Sequence, residues 1–352
     1  MGSSQAVGFM DRKGSILGWL NELAFAPVDY NPAAPADEWS GDNGVGALYF
    51  SQQAVNKLLP AAKIRMPAKM DLPERLVEVQ ELMEKGDERA AKIYETIGAH
   101  QDDLEFMAFH GILECFARRD KWFGGVTCTN GAGSSRSGPY AGITDEAMMK
   151  IRAQEQNTAA LIGGYSAMLQ LDYPSSAVKG TTDPSLKNDL KAILKATRPE
   201  VVYTHNPADK HDTHIGVAIA ALMAMREMPA DQRPKKVIGC EVWRNLDWLP
   251  DEEKVLMDVS GRDNLAAALN GVFNSQIAGG KRYDLATLGR RAANATFFDS
   301  HSTDQSNQLV FGIDLTPLVK DDNKDIVAYV RDLLDRFKDD VCQKLSKQLG
   351  RI

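Results

Sequence analysis

The sequence predicts an α/β fold: a Rossmann-like, mostly parallel sheet with helices on both faces, preceded by an irregular or helical N-terminal extension. Three observations predict it. From about residue 91, short apolar runs alternate with longer segments of helical periodicity, the pattern of a wrapped parallel sheet. Polar clusters carrying His and Asp follow two of the strand candidates, where such sheets place their ligands. Before residue 91, Pro27, Pro32, Pro35 and the Gly41-Asp42-Asn43-Gly44 cluster break the chain into loops and short pieces. The expected division is an extension over 1–90, of unknown role, and an α/β domain over 91–352.

Each element has a local reason. In the extension, Leu76, Val79 and Leu82-Met83 recur at helical spacing, predicting a helix from Glu74 to Glu84. Ile93 to Gly98 is a short strand, and Leu104 to Phe116 an apolar-rich helix. Phe123 to Thr129 is the next strand, closed by Asn130-Gly131-Ala132-Gly133. Asp145 to Leu161 is a helix and Ala167 to Leu171 a strand. Ser185 to Ala196 is a helix bounded by Asp183-Pro184 and Arg198-Pro199. The β-branched run Val201 to Thr204 is a strand, His214 to Met225 an apolar helix, and Val237 to Trp243 a further strand.

Bulk properties exclude several classes. The 352 residues are 43% hydrophobic and 25% charged, as in ordinary globular proteins. A net charge of -7 with both signs interspersed gives no nucleic-acid footprint. The longest apolar run, Ile215 to Met225, is too short to span a bilayer. Met1 to Met10 lacks the order of a secretory signal, and Cys115, Cys128, Cys240 and Cys342 form no CxxC pair. A reducing cytoplasm is the expected location.

Two clusters carry the chemistry. Ala99-His100-Gln101-Asp102-Asp103 follows the first strand and puts three metal-competent side chains at a strand-to-helix turn. Adjacent Asp102 and Asp103 suit different tasks, although an Asp here is also a common helix cap. His205-Asn206-Pro207-Ala208-Asp209-Lys210-His211-Asp212-Thr213-His214 follows Val201 to Thr204 and opens the next helix. His211 and His214 are three apart and share a face of its first turn. Together the turns offer two imidazoles and a carboxylate, with a position left for water, which is the pattern of catalytic zinc.

These clusters resemble the PIG-L (LmbE-like) family of zinc-dependent de-N-acetylases. Ala99-His100-Gln101-Asp102-Asp103 is similar to the family's A-H-P-D-D motif, and His211-Asp212-Thr213-His214 to its H-P-D-H motif. The Thr129-Asn130-Gly131 turn and Arg152 with Glu155 are also similar, so the resemblance covers roughly Ile93 to His301. Three positions depart: Gln101 replaces a proline, Leu104 a glutamate (with Glu105 one residue on), and Thr213 an aspartate. Asp209 and Asp212 are the candidates to compensate for the last.

The resemblance implies that His100, Asp103 and His214 bind Zn2+ or another divalent metal. It implies that Asp102 is the general base, and that His211 stabilises the oxyanion or protonates the departing amine. A divalent ion lowers the pKa of its water to about 7, within reach of a carboxylate base. The implied reaction is attack of that water on the amide of an N-acetylated amino sugar or its conjugate, by a deacetylase domain over 91–352. The partner is then a small-molecule or oligosaccharide substrate bearing an N-acetyl group, and the chain is compatible with a homo-oligomer.

Arg136, in a Gly/Ser loop, and Trp243 with Arg244 are candidate substrate contacts. Each also has an ordinary reading, as a solvated loop arginine or a core tryptophan. Lys281 and Arg290-Arg291 are cations suited to an anionic substrate or to a solvated helix face. His110 reads as a core histidine, and His205 and His301 as weaker site candidates. Alternative functions are an amidase on a non-sugar amide and a non-catalytic carbohydrate-binding protein with a degenerate site.

Overall fold

The computed structural model describes residues 92–118, 120–180 and 183–351. The expected helix from Glu74 to Glu84 lies outside the described residues.

The domain alternates as the sequence predicts. β1 (Lys92–Gly98) leads into α1 (Asp103–Met107) and α2 (Phe109–Cys115), then β2 (Lys121–Thr129). α3 (Asp145–Gly163), β3 (Ala167–Tyr173), α4 (Ser175–Val178) and α5 (Ser185–Thr197) follow, then β4 (Val201–His205) and α6 (Asp212–Arg226). The chain continues through β5 (Lys236–Cys240), β6 (Lys254–Asp258), α7 (Asp263–Gly271), α8 (Asn274–Ile277) and α9 (Tyr283–Phe297). β7 (Leu309–Asp314), α10 (Thr316–Lys320) and α11 (Ile326–Gln348) close it.

The sheet has seven strands in the order β3-β2-β1-β4-β5-β7-β6. The first five are parallel, and β7 runs antiparallel to both β5 and β6. The connection order reverses between β1 and β4, so the crevice beyond their carboxyl ends is where this fold accommodates ligands. Apolar side chains on the two faces build two core clusters, one including Ile97, Val126, Leu190 and Val217, the other Leu104, Phe109, Phe123 and Tyr203. No helix among the described residues is long and apolar enough to cross a membrane.

The structure departs from the expected elements in two places that bear on the site. The predicted single helix from Leu104 to Phe116 is broken at Ala108. There, Nη2 of Arg291, from α9, donates to the carbonyls of Glu105 (2.7 Å) and Phe106 (3.3 Å), acceptors that a continuous helix would use itself. The predicted strand Val237 to Trp243 stops at Cys240. Within β5 the ladders to β4 and β7 both end at Cys240, so none carries the chain further, and Val242 and Trp243 turn into the crevice.

One buried charge makes stability depend on pH. Glu95 on β1 is 1% exposed, and one carboxyl oxygen has no partner among the described residues. Burial raises its pKa from 4.5 to about 7, opposed by a hydrogen bond with Thr197. The folded chain therefore keeps a proton that the unfolded chain releases, and stability falls as pH rises through that interval. Glu95→Gln is expected to stabilise the domain by about 3 kcal/mol at pH 8 and to have little effect at pH 4.5. Urea unfolding of both chains at the two pH values checks this. An equal effect at both would show that Glu95 carries no such linkage.

Candidate metal centre

The site forms where the turns after β1 and β4 meet. A Cβ at Gly98 would stand 2.6 Å from Leu104 Cδ1 and 3.2 Å from Asp103 Cβ, so a glycine is needed for α1 to start this close to its strand. Asp102 sits at φ 96°, a left-handed conformation that costs a non-glycine residue of order 1–3 kcal/mol. Its surroundings hold it there: the N–H donates to Gln156 Oε1 (3.0 Å) and Oδ2 accepts from Arg152 Nη2 (2.9 Å). Gln101, in place of the family's proline, is buried and donates from Nε2 to the Thr129 carbonyl at 2.8 Å, tying the turn to the end of β2.

Three donor atoms converge. His100 Nδ1 is 3.2 Å from Asp103 Oδ2 and 3.2 Å from His214 Nε2, and His214 Nε2 is 3.4 Å from Asp103 Oδ2. A tetrahedral ion with ligand bonds of about 2.1 Å needs donors roughly 3.4 Å apart. Donor type and spacing therefore fit a small divalent metal. The Asp103 carboxylate is steadied by the His100 N–H at 2.7 Å. Its burial opposes ionisation, but His214 and His205 more than offset this, and its pKa is lowered.

Sequence reasoning underrated His205. It is fully buried, stacks on His214 (3.9 Å between centroids), and its Nε2 lies 3.4 Å from Asp103 Oδ2. That nitrogen already accepts the Ala99 N–H at 2.8 Å. His205 thus braces the first turn with that nitrogen's lone pair; the described side chains able to hold a metal form two overlapping groups, His100, His211 and His214, and Asp103, His205 and His214.

Of the two acids near Thr213, Asp209 is the one that reaches His214. Its Oδ2 lies 3.3 Å from His214 Nδ1 and its Oδ1 accepts the His211 N–H at 2.9 Å, whereas Asp212 is exposed. A proton held at Nδ1 leaves Nε2 free to coordinate. Asp209→Ala is expected to weaken metal affinity by about 10- to 100-fold while leaving all three donors in place. Competition with a chelator measures it, and unchanged affinity would remove Asp209 from this role.

His211 stands at the start of α6, with ring centroids 5.0 Å from His100 and 4.7 Å from His214. Burial, then the neighbouring His214 and His100, lowers its pKa from 6.5 to about 4. Asp102 moves the other way, raised to about 7 by burial despite Arg152. Arg152 in turn is bonded to Glu155 (3.1 Å), which accepts from the Ser275 N–H and hydroxyl at 2.6 Å each. Glu105, next to the position of the missing family glutamate, is buried beneath the turn and accepts from Tyr165 (2.6 Å) and Gln156 (2.8 Å). Nothing in the periodicity distinguishes it from a surface residue of α1.

A cavity of about 510 Å³ opens over these groups. Of the candidate substrate contacts, Trp243 lines it, stacked 6.4 Å from His211 and edge-on to Tyr283 at 5.9 Å. Arg136 and Arg244 do not line it. Arg136 is paired with Asp145 and the Ala132 carbonyl, and Arg244 is exposed. Lys281, Arg290 and Arg291 do line it. His110 bonds Tyr203 OH (2.9 Å) behind the sheet, and His301 is exposed elsewhere.

The fold is similar to that of GalB, the 4-carboxy-2-hydroxymuconate hydratase of Pseudomonas putida, at 19% identity and a TM-score of 0.51, over 63% of this chain and 95% of that one. It is also similar to the conserved protein TT1542 of Thermus thermophilus, at 17% identity and a TM-score of 0.50, over 62% and 93% of the two chains. At these identities the likeness is one of fold. No curated protein matches the chain significantly in sequence. The family model described as PIG-L, GlcNAc-PI de-N-acetylase, matches residues 96–225, a span that includes both turns of the site. The chain thus contains a PIG-L family domain.

Proposed function

We propose that the chain is a metal-dependent N-deacetylase acting on an N-acetylated amino sugar or its conjugate, with residues 91–352 as the catalytic domain. The observation that carries this reading is the convergence of His100, Asp103 and His214 within 3.4 Å of one another beside a buried carboxylate. Those three residues would hold the metal, zinc being the first choice by donor set. When bound, it supplies Lewis acidity to a water and to the amide carbonyl.

The protein's own groups do the rest. Asp102, with a pKa near neutrality, takes a proton from the attacking water at a carboxylate oxygen, while Arg152 fixes its orientation. The water oxygen bonds to the carbonyl carbon, the C–N bond breaks, and the proton passes from Asp102 to the amine nitrogen. His211 is neutral at pH 7 and therefore serves as an N–H donor to the developing oxyanion. Of the two roles its motif implies, the lowered pKa favours this one over proton delivery. Trp243 and Tyr283 offer aromatic faces on which a sugar ring can stack.

Acetate release from a panel of N-acetylhexosamines and non-sugar amides, before and after chelation, tests the reading. Release confined to amino sugars, lost on chelation and restored by zinc, supports it. Because GalB carries this fold as a hydratase, the panel includes an unsaturated carboxylate. Hydration of that compound without acetate release from any amide would replace the deacetylase reading.

A further inference from the structure

The far wall of the cavity carries a buried charge whose hydrogen-bond donors are only partly met. Arg291 is 2% exposed, yet it lines the cavity. Only Nη2 is engaged by hydrogen bonds, through the Glu105 and Phe106 carbonyls. Nε and Nη1 are buried with no partner among the described residues. A guanidinium has five N–H donors, and burying several of them unpaired is rarely tolerated. Its Cζ lies over the Phe109 ring, 4.5 Å from the centroid.

The surroundings have the same sign. Arg290, half-buried on the same helix, donates to the Val242 carbonyl and also lines the cavity. Lys281 stands 5.6 Å from the Trp243 ring at the mouth, with no ion pair among the described residues. None of the cavity's carboxylates forms an ion pair with these three cations among the described residues. Asp102 is paired with Arg152, Asp103 belongs to the metal set, and Glu241 already accepts from Asn294 (2.8 Å) and the Leu246 N–H (3.4 Å). Burial raises the Glu241 pKa and Arg290 opposes this; Glu241 acts on Arg290 and Arg291 through its field, with no ion pair to either among the described residues.

We infer that the α9 wall is a subsite for an anionic group of the substrate, a carboxylate or a phosphate, with Arg291 as its buried anchor and Arg290 and Lys281 beside it. With Nη2 held by the two carbonyls, the unpartnered Nη1 and the charge of the guanidinium are what this wall offers to either oxyanion. This deepens the deacetylase reading, and its turnover test rests on that reading. The substrate is then an acetylated amino sugar that also bears an acid, its N-acetyl group at the metal set and its acid against α9.

The test has two arms on the full metal-loaded chain. The first compares kcat/KM for acetate release from N-acetylglucosamine with that from its phosphate esters and from a carboxylated derivative. The expected preference for one anionic form is roughly 10²-fold, expressed mainly in KM. Lys281→Gln and Arg290→Gln are each expected to reduce the anionic-to-neutral ratio by at least about tenfold. Arg291→Met is expected to abolish it. Because that variant also loses the α1 cap, the two milder variants decide the matter if it fails to fold.

The second arm needs no turnover: calorimetric titration with inorganic phosphate, and separately with succinate. Binding that weakens about tenfold in Arg290→Gln and Lys281→Gln supports the subsite and identifies the preferred anion. Equal kcat/KM for neutral and anionic sugars overturns it, as does anion binding indifferent to both substitutions, which would place the anion at the metal. If no amide is hydrolysed, the deacetylase reading fails, and the titration still decides the subsite.

Discussion

Asp102→Asn is expected to reduce acetate release by about 10³-fold while a full equivalent of metal stays bound. The amide keeps the size of the carboxylate and its oxygen can still accept from Arg152, but it cannot take a proton from water. General-base catalysis contributes about 10²- to 10⁴-fold, which sets the scale. The substitution also uncouples a buried ion pair, a change that costs about 3–5 kcal/mol when the remaining charge has no other partner. Arg152 keeps Glu155 at 3.1 Å, so the thermal midpoint should drop without loss of the fold. Elemental analysis, circular dichroism and turnover on one preparation separate these effects. Full activity would show that Asp102 is not the base. Lost metal would show that it is a ligand.

His214→Ala is expected to remove both metal and activity. His214 supplies a donor 3.2 Å from His100 Nδ1 and 3.4 Å from Asp103 Oδ2, and it is the residue that Asp209 orients and His205 stacks upon. Without it, two donors remain in the set and neither chelates alone. Retained metal after dialysis should fall to a few per cent of the wild-type content, and turnover to about 10⁻³ or less. Asp103→Ala should behave alike, with the added loss of the acceptor for the His100 N–H. A variant that kept its metal would move the site to His100, His211 and a group outside this set.

How far residues alone disclosed this arrangement follows from physical differences between its parts. The strands from Ile93 to Cys240 are short apolar runs that can only be buried, so their positions and the site turns between them could be read directly. β7, Leu309–Asp314, is a buried apolar run of the same kind, whereas β6 gives no comparable signal. β6 is half-exposed and pairs only with β7, so its residues Lys254–Asp258 do not stand out as a buried run.

The same division holds within the site. His100, Asp103, His211 and His214 are set by motif spacing, and they meet because β1 and β4 are neighbours in the sheet. His205 was underrated because its value comes from the Ala99 N–H, a contact 106 residues away. Asp209 could not be separated from Asp212 by spacing, since which acid faces His214 depends on how the chain enters α6. Arg136 looked available because it sits in a Gly/Ser loop, but Asp145, nine residues on, already holds it. Arg291 looked like a surface cation, and only packing against the end of α1 and Phe109 buries it.

Anomalous scattering from crystals of the zinc-loaded chain locates the ion on which these assignments converge. One strong peak within about 2.3 Å of His100 Nδ1, Asp103 Oδ2 and His214 Nε2 is the expected result. An ion bound elsewhere, or no peak at that junction from protein fully loaded with zinc, would contradict it.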